Sequence, residues 1–237
     1  MATEYASAGY VLHARRYREN SRILEVFSEA HGRVALLTRV SQKHSGGALG
    51  KLQPFHENLY RWRGRSELQT AVGIDELGAL RLEGLAGICG LYCNELLLRL
   101  LAKSLPHPEI YKAYRETLAA LAEASPPGPW LRRFEAELLD ALGYGLNLET
   151  DCHDGADLAR ADGYFFHPGH GISTRRVAAE GFAVGAAALR AIHERRFDEP
   201  ALMREIRQIL GAAVNHLLNG RPLASKLLLQ SLERKRS

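Results

Sequence analysis

The sequence of 237 residues predicts an α+β protein, with a small β-barrel first and a mostly α-helical domain after it. The first observation is a change in hydrophobic periodicity near residue 80, from about two to about 3.6 residues. The second is the spacing of turn residues, which divides the preceding stretch into about five short strands. We therefore expect a barrel domain over residues 1–80 and a helical domain over residues 81–237.

Glycine-containing turns separate the predicted strands. One hairpin loop, 29–32, ends in Gly32, and a second, 63–66, contains Gly64. A glycine-rich stretch, 41–50, predicts a mobile loop. The first predicted strand begins at residue 10, and the other four cover 23–28, 33–40, 55–62 and 67–72. Five such strands suit an OB-fold, although a small antiparallel sandwich or an SH3-like barrel would give the same pattern.

Helical periodicity governs most of the remaining chain. Pro106 ends the first helix, and Pro129 and Gly143 suit the first turn and the C-cap of the third. The stretch near 144–176 is rich in Gly, Asp and His without helical periodicity, and it predicts an irregular insert. The predicted helices cover 91–101, 108–123, 130–142, 178–196 and 199–218, with a short one after Pro222.

The composition indicates a globular protein in a reducing compartment. Hydrophobic residues make up 46% of the chain and charged residues 24%. No secretory signal or membrane-spanning apolar run is visible, and three irregularly spaced cysteines do not suggest a disulfide framework. We therefore expect a cytoplasmic protein. The net charge of +4 hints at an anionic partner without proving one.

The predicted barrel carries most of the functional signal. Seven basic residues fall between Gly32 and Ser66 against a single acid, Glu57, and three arginines precede them in the expected first inter-strand loop. Tyr60 and Trp62 alternate with two arginines, which places rings and cations on opposite faces of a strand. Binding of a single strand needs cations for phosphates and flat rings for bases. The candidate nucleic-acid contacts are Arg15, Arg16, Arg18, Arg33, Arg39, Lys43, His44, Lys51, Tyr60, Arg61, Trp62 and Arg63. For the two rings, a place in the barrel core is an equally good interpretation.

Enzymatic and metal-binding motifs are absent from the sequence. The stretch 46–52 superficially resembles a nucleotide phosphate loop. Such a loop would need Gly at position 45 and Ser or Thr at position 52, where this chain has Ser45 and Leu52. Cys89 and Cys93 are better explained as buried residues of a helix. The insert offers one thiolate, which is a poor zinc signature. Its candidate ligands are Cys152, His153, Asp154, Asp157, His167 and His170. We expect no catalytic residues, metal or cofactor, and a flexible acidic loop explains Asp151, Asp154 and Asp157 better than a magnesium site does.

The third predicted helix offers a candidate groove for a protein partner. Leu131, Arg132 and Arg133 lie beside Trp130 and Phe134, so an arginine next to an apolar stripe could hold an apolar peptide that ends in acidic groups. The alternative is a core stripe with solvated arginines, or pairing of Arg133 with a glutamate one turn later.

Several segments, in order and nearly end to end, resemble the bacterial recombination mediator family RecO. The resemblance begins at Gly9-Tyr10-Val11-Leu12-His13 and ends at Gly220-Arg221-Pro222-Leu223-Ala224-Ser225-Lys226. Between them lie Arg18-Glu19-Asn20-Ser21, the run 24–32, Leu52-Gln53-Pro54-Phe55, Tyr92-Cys93-Asn94-Glu95-Leu96, Leu131-Arg132-Arg133-Phe134-Glu135 and Leu142-Gly143-Tyr144-Gly145.

The resemblance implies an N-terminal OB-fold and a helical domain that bind single- and double-stranded DNA and anneal complementary strands. It also implies contact with the C-terminal tail of single-strand-binding protein, for which Arg132 and Arg133 become candidates, and cooperation with RecR in loading RecA. Zinc-binding members carry four cysteines near the insert, whereas this chain has only Cys152 there and resembles the zinc-free branch. The competing interpretation of the residues themselves is a scaffold that contacts only proteins.

Overall fold

The computed structural model describes residues 3–39, 50–158, 163–177 and 179–228. Its five N-terminal strands are followed by helices, which confirms the predicted α+β class. The chain forms two compact units. Unit 1 contains the residues up to Ser125 and those from Leu223 onward, and unit 2 contains Pro126–Pro222.

The N-terminal strands form a closed sheet in which each strand has two neighbours. The strands are β1 (Glu4–Arg16), β2 (Ser21–Ser28), β3 (Gly32–Arg39), β4 (His56–Arg63) and β5 (Leu68–Ala79). Their order is β1-β2-β3-β5-β4, and β4 pairs with β1 to complete the ring. Only the pairing of β3 with β5 is parallel.

Strand β1 is much longer than predicted, at 13 residues. Its first half is built from small residues that hide the alternation, and a register shift between Val11 and His13 interrupts it. As a result, Arg15 and Arg16 lie on β1 and pair with Ile23 and Arg22, not in the loop where the sequence predicts them.

The interior of the closed sheet holds a hydrophobic cluster of buried residues. It comprises Val11, Leu24, Val26, Val34, Leu36, Leu52, Tyr60 and Trp62. Its members come from β1, β2, β3 and β4, together with the segment before β4. Because successive strand residues point to opposite faces, this cluster determines which residues of each strand remain on the outside.

Two helices of unit 1 pack on the outside of the sheet. These are α1 (Gly84–Leu100) and α2 (Pro108–Ala122). The rings of Tyr111 and Tyr114 on α2 contact Tyr10 and Phe27 at centroid distances between 5.2 and 6.1 Å. Strand β5 ends at Ala79 and α1 begins at Gly84, which is where the hydrophobic period changes in the sequence.

A segment distant in sequence completes unit 1. Glu95 on α1 accepts hydrogen bonds from the backbone N–H groups of Ala224 and Ser225, both at 3.0 Å, and from Ser225 Oγ at 2.8 Å. Arg99 also pairs with Glu95 at 2.7 Å. Burial alone would raise the pKa of Glu95, but these hydrogen bonds and the guanidinium lower it.

Unit 2 combines three helices with a small sheet. The helices are α3 (Pro127–Ala141), α4 (Ala186–His193) and α5 (Met203–Leu217), and the strands are β6 (Tyr164–His167), β7 (Gly171–Ser173) and β8 (Phe182–Val184). The three strands are antiparallel in the order β7-β6-β8. The sequence predicts an irregular insert or small subdomain near 144–176, and β6 and β7 lie within it. Strand β8 lies where the sequence predicts the start of a helix over 178–196, and the structure corrects this, since a strand of three residues is too short to show alternation.

Candidate nucleic-acid interface

A cleft opens in the closed sheet where β3 and β5 separate. Within the described residues, the two strands pair only through Ala35–Leu37 and Leu68–Thr70, although both continue as strands beyond that point. The cleft has a volume of about 760 Å³. It is lined by Tyr17, Arg18, Ser21, Leu37, Thr38, Arg39, Lys51, Leu52, Thr70, Ala71, Val72, Gly73 and Ile74.

Three of the predicted DNA contacts line this cleft. Arg18 is exposed in the turn between β1 and β2, with a φ of 58°, and Arg39 is exposed at the end of β3. Lys51 lies on the segment before β4 and is half-buried. Ser21, which also lines the cleft, is paired with Arg39 in the register of β2 with β3. The turn between β1 and β2 and the end of β3 therefore meet at one rim of the cleft.

Further cations lie on the adjoining strands. Arg15 and Arg16 are exposed on β1, and Arg22 on β2 is the direct partner of Arg16. Together with the three cations of the cleft they form the basic group of this unit, defined as Arg15, Arg16, Arg18, Arg22, Arg39 and Lys51. In the described part of the chain, no acidic side chain forms an ion pair with any member of this group. Their charges therefore remain available for an anion.

Three other predicted contacts are already ion-paired. Arg33 lies 3.8 Å from Glu25 and donates a hydrogen bond to the carbonyl of Leu98, with its side chain only 16% exposed. The guanidinium of Arg61 is 2.7 Å from Asp75, and Nε of Arg63 is 2.8 Å from Glu4.

These three arginines do not join the basic group. Arg33 holds β3 to the end of α1 through its backbone as well, since its carbonyl accepts the N–H of Ser104 at 2.9 Å. The acidic partners of Arg61 and Arg63 lie on β5 and β1, so these pairs join neighbouring strands of the closed sheet.

The aromatic residues of β4 are in the core. Tyr60 and Trp62 are 0% and 1% exposed, so neither ring presents a face to a base. The predicted alternation of rings and arginines is present, but the rings point into the closed sheet, whose interior requires bulky side chains. This corrects the prediction that they stack on DNA. Lys43 and His44 lie outside the described residues.

The structure changes the interpretation of the groove on α3. Arg132 is buried, and its Nη2 lies 2.6 Å from Oε1 of the fully buried Glu135, so it is an internal ion-pair partner and not a surface contact. Arg133 is exposed, with its guanidinium 5.9 Å from the centroid of the Trp130 ring. Leu131 is half-buried.

The glutamate one turn beyond Arg133 contacts an arginine that is distant in sequence. Glu137 Oε1 accepts a hydrogen bond from Nε of Arg195 at 3.0 Å, and the same guanidinium also binds Asp140. These contacts join α3 to the turn after α4 within unit 2.

Three of the residues considered as metal ligands are buried in the fold. Cys89 and Cys93 are buried in α1, as predicted. Asp151 accepts hydrogen bonds from Ser173 and Thr174, which together with the His153 N–H lower its pKa despite its burial. Across the described ranges, no three His, Cys, Asp or Glu side chains are grouped to hold a metal ion.

Sequence reasoning missed three residues at or beside the cleft. Arg22 precedes the predicted start of β2 at residue 23, although its alternation with Leu24 and Val26 could have extended that strand. Tyr17 lies in the turn, where a ring carries no periodic signal. Val72 lies at a register shift between β4 and β5, which no sequence pattern indicates.

Comparison with known proteins identifies the family. The family model described as "Recombination protein O N terminal" matches residues 1–75, and "Recombination protein O C terminal" matches residues 81–227. Proteins named "DNA repair protein RecO" from Methylococcus capsulatus and Laribacter hongkongensis are both 37% identical to the chain, over 225 and 228 residues. These alignments cover 94% of this chain in each case, and 91% and 93% of the relatives. In the described part of the chain, no helix is long and apolar enough to span a membrane. The matches to both family models and to full-length relatives show that the chain belongs to the RecO family.

Proposed function

We propose that the chain is a DNA-binding recombination mediator in DNA repair. Its closed sheet acts as an OB-type barrel that holds a DNA backbone along the basic group and lets complementary single strands anneal. With RecR, it helps to load RecA onto DNA that is covered by single-strand-binding protein. The names of the relatives and of the family models support the repair and recombination role.

One observation supports DNA binding most strongly. The basic group combines three cations around a cleft with three more on the adjoining strands, and none is ion-paired to a described acid. Because each neutralised phosphate releases counterions, affinity should fall steeply with salt. Because Arg15 and Arg16 are consecutive on β1 and point to opposite faces, five or six contacts at about 0.7 each predict a slope of about −3.5 to −4 for log affinity against log salt on single strands.

The proposed mechanism involves no covalent step. Two complementary strands repel each other through their phosphates, and cations at one surface reduce that repulsion. Strands held on the same basic group therefore meet at a lower electrostatic cost, and base pairing follows. We propose no catalytic residue, metal or cofactor for this activity, and the cytoplasm as its location.

The partner assignments rest on family membership. We propose that the tail of single-strand-binding protein, which is apolar and acidic, docks on the helical part of the chain. Arg133 and Leu131 remain candidates for this contact, since Arg133 is exposed on α3. Arg132 does not, because its guanidinium is buried against Glu135.

A charge-matched pair of variants tests the DNA interface. The test variant removes the three cations that line the cleft: Arg18→Ala, Arg39→Ala and Lys51→Ala. The control removes three ion-paired arginines outside its lining: Arg61→Ala, Arg63→Ala and Arg81→Ala. Both lose the same net charge. Fluorescence anisotropy with a labelled single strand, titrated over salt, should show that the slope falls by about 2 in the test variant and much less in the control.

The same titration separates DNA binding from the alternative function. A scaffold that contacts only proteins gives weak binding without steep salt dependence in the unmodified chain. Equal losses in both variants would mean that the cleft has no special role and that only total charge matters.

A further inference from the structure

The lining of the cleft includes an aromatic and an aliphatic side chain besides its cations. The ring of Tyr17 is half-buried in the lining, and the side chain of Val72 is 48% exposed. Tyr17 comes from the turn between β1 and β2, and Val72 comes from β5, so two separate parts of the sheet bring them to the cleft. Binding of phosphates alone requires neither a half-buried aromatic ring nor an exposed branched side chain in a basic cleft.

The position of Val72 has a structural cause. Arg61 pairs with Gly73 and Trp62 with Ala71, so Val72 is the extra residue of a β-bulge. Bulged residues leave the regular ladder, and bulges re-aim side chains near functional sites. A Cβ at Gly73 would lie 2.6 Å from Nη2 of Arg61, so the guanidinium lies against this glycine.

The turn that carries Tyr17 is also held in place. The N–H of Tyr17 donates to the carbonyl of Ser21 at 2.8 Å, which closes the turn. The guanidinium of Arg18 lies 5.3 Å from the centroid of the Tyr17 ring. The ring and the cation are therefore presented together at one rim of the cleft, with Arg39 on β3 close by.

We infer that Tyr17 and Val72 contact unstacked nucleobases and give the cleft a preference for single strands over duplex DNA. This inference rests on the proposed function. Cations contact phosphates in either form of DNA, whereas the faces of bases in a duplex are covered by their neighbours. A ring and an apolar side chain inside the cleft can reach a base face only when the strand is single, and stacking of this kind tolerates any sequence.

The test compares three DNA probes of equal phosphate number. They are a labelled single strand, the same strand with abasic sites, and a hairpin duplex. The variant is Tyr17→Ala with Val72→Ser, and the control is Tyr144→Ala with Leu77→Ser, which alters an exposed tyrosine and an exposed apolar residue outside the cleft lining. Thermal unfolding of all three proteins checks that the fold is intact.

The expected result is selective. The Tyr17/Val72 variant should bind the single strand about tenfold more weakly, with less than a twofold change on the duplex and an unchanged salt slope. Abasic sites should weaken binding by the unmodified chain and by the control but leave the Tyr17/Val72 variant almost unaffected. Equal loss on single and double strands, or no loss on either, would overturn the inference.

The failure of this inference differs from that of the proposed function. If the unmodified chain lacks steep salt-dependent binding, the proposed function fails. If it binds and the Arg18/Arg39/Lys51 variant flattens the slope, but the Tyr17/Val72 variant behaves like the control, only the base contacts are refuted.

Discussion

Replacement of Arg132 by methionine should destabilise the protein, because it removes the guanidinium that is ion-paired with a buried carboxylate. The side chain of Arg132 is 10% exposed and that of Glu135 is 0% exposed, and their closest atoms are 2.6 Å apart. Removal of one partner from a buried pair costs about 3–5 kcal/mol. The double variant Arg132→Met with Glu135→Leu removes both charges and should recover most of this loss, since apolar replacements of buried pairs are often neutral.

Differential scanning calorimetry measures this effect directly. For a chain of this size, about 3–5 kcal/mol corresponds to a fall in Tm of about 6–20 °C. Arg133→Met is the matched control, because the neighbouring arginine is exposed and its contact with Trp130 is worth about 1 kcal/mol or less. A normal Tm for Arg132→Met, combined with lost binding of an acidic, apolar peptide, would refute the internal ion pair and restore Arg132 as a partner contact.

Two further predictions concern the acid response and the tryptophans. Glu95→Gln should lower the free energy of unfolding at pH 7. The difference in this free energy between the variant and the unmodified chain should shrink as the pH falls below 4.5, the ordinary pKa of a glutamate side chain. The reason is that hydrogen bonds and an ion pair that lower the pKa of Glu95 stabilise the fold only while its carboxylate is charged. Urea titrations at pH 7 and pH 4 measure the free energy of unfolding of both proteins. In a Trp130→Phe variant, the emission of Trp62 should not shift when single-stranded DNA is added, because the indole is 1% exposed; a clear shift would contradict its burial.

The strands and the turns between them could be predicted because their signals are local. Gly32 was expected to end a hairpin loop, and it has a φ of +65°, with the carbonyl of Leu105 so close that a side chain would not fit. Alternation along β4 placed Tyr60 and Trp62 on one face of the strand, and that face could either bind bases or line the core. The closure of the sheet, which depends on pairing of β1 with β4, decides between them in favour of the core.

Which basic residues are ion-paired and which are available to a ligand could not be predicted, since the pairing depends on partners far apart in sequence. Arg63 is paired with Glu4, 59 residues away, and Arg33 with a carbonyl 65 residues away. A count of basic residues treats these arginines as equal to Arg39, which has no such partner among the described residues. The pair of Arg132 with Glu135 is the exception, because its spacing of three residues on a helix was visible in the sequence.

The link between α1 and the segment after residue 222 constrains how the protein is made. Glu95 and Ser225 are separated by 130 residues, so the carboxylate leaves the ribosome long before its hydrogen-bond donors do. At about 5–20 residues per second, translation keeps them apart for about 6–26 s. During this interval α1 must persist without the hydrogen bonds that Ala224 and Ser225 donate to Glu95. A truncated product that stops before Leu223 would keep all five N-terminal strands but would permanently lack these hydrogen bonds to Glu95.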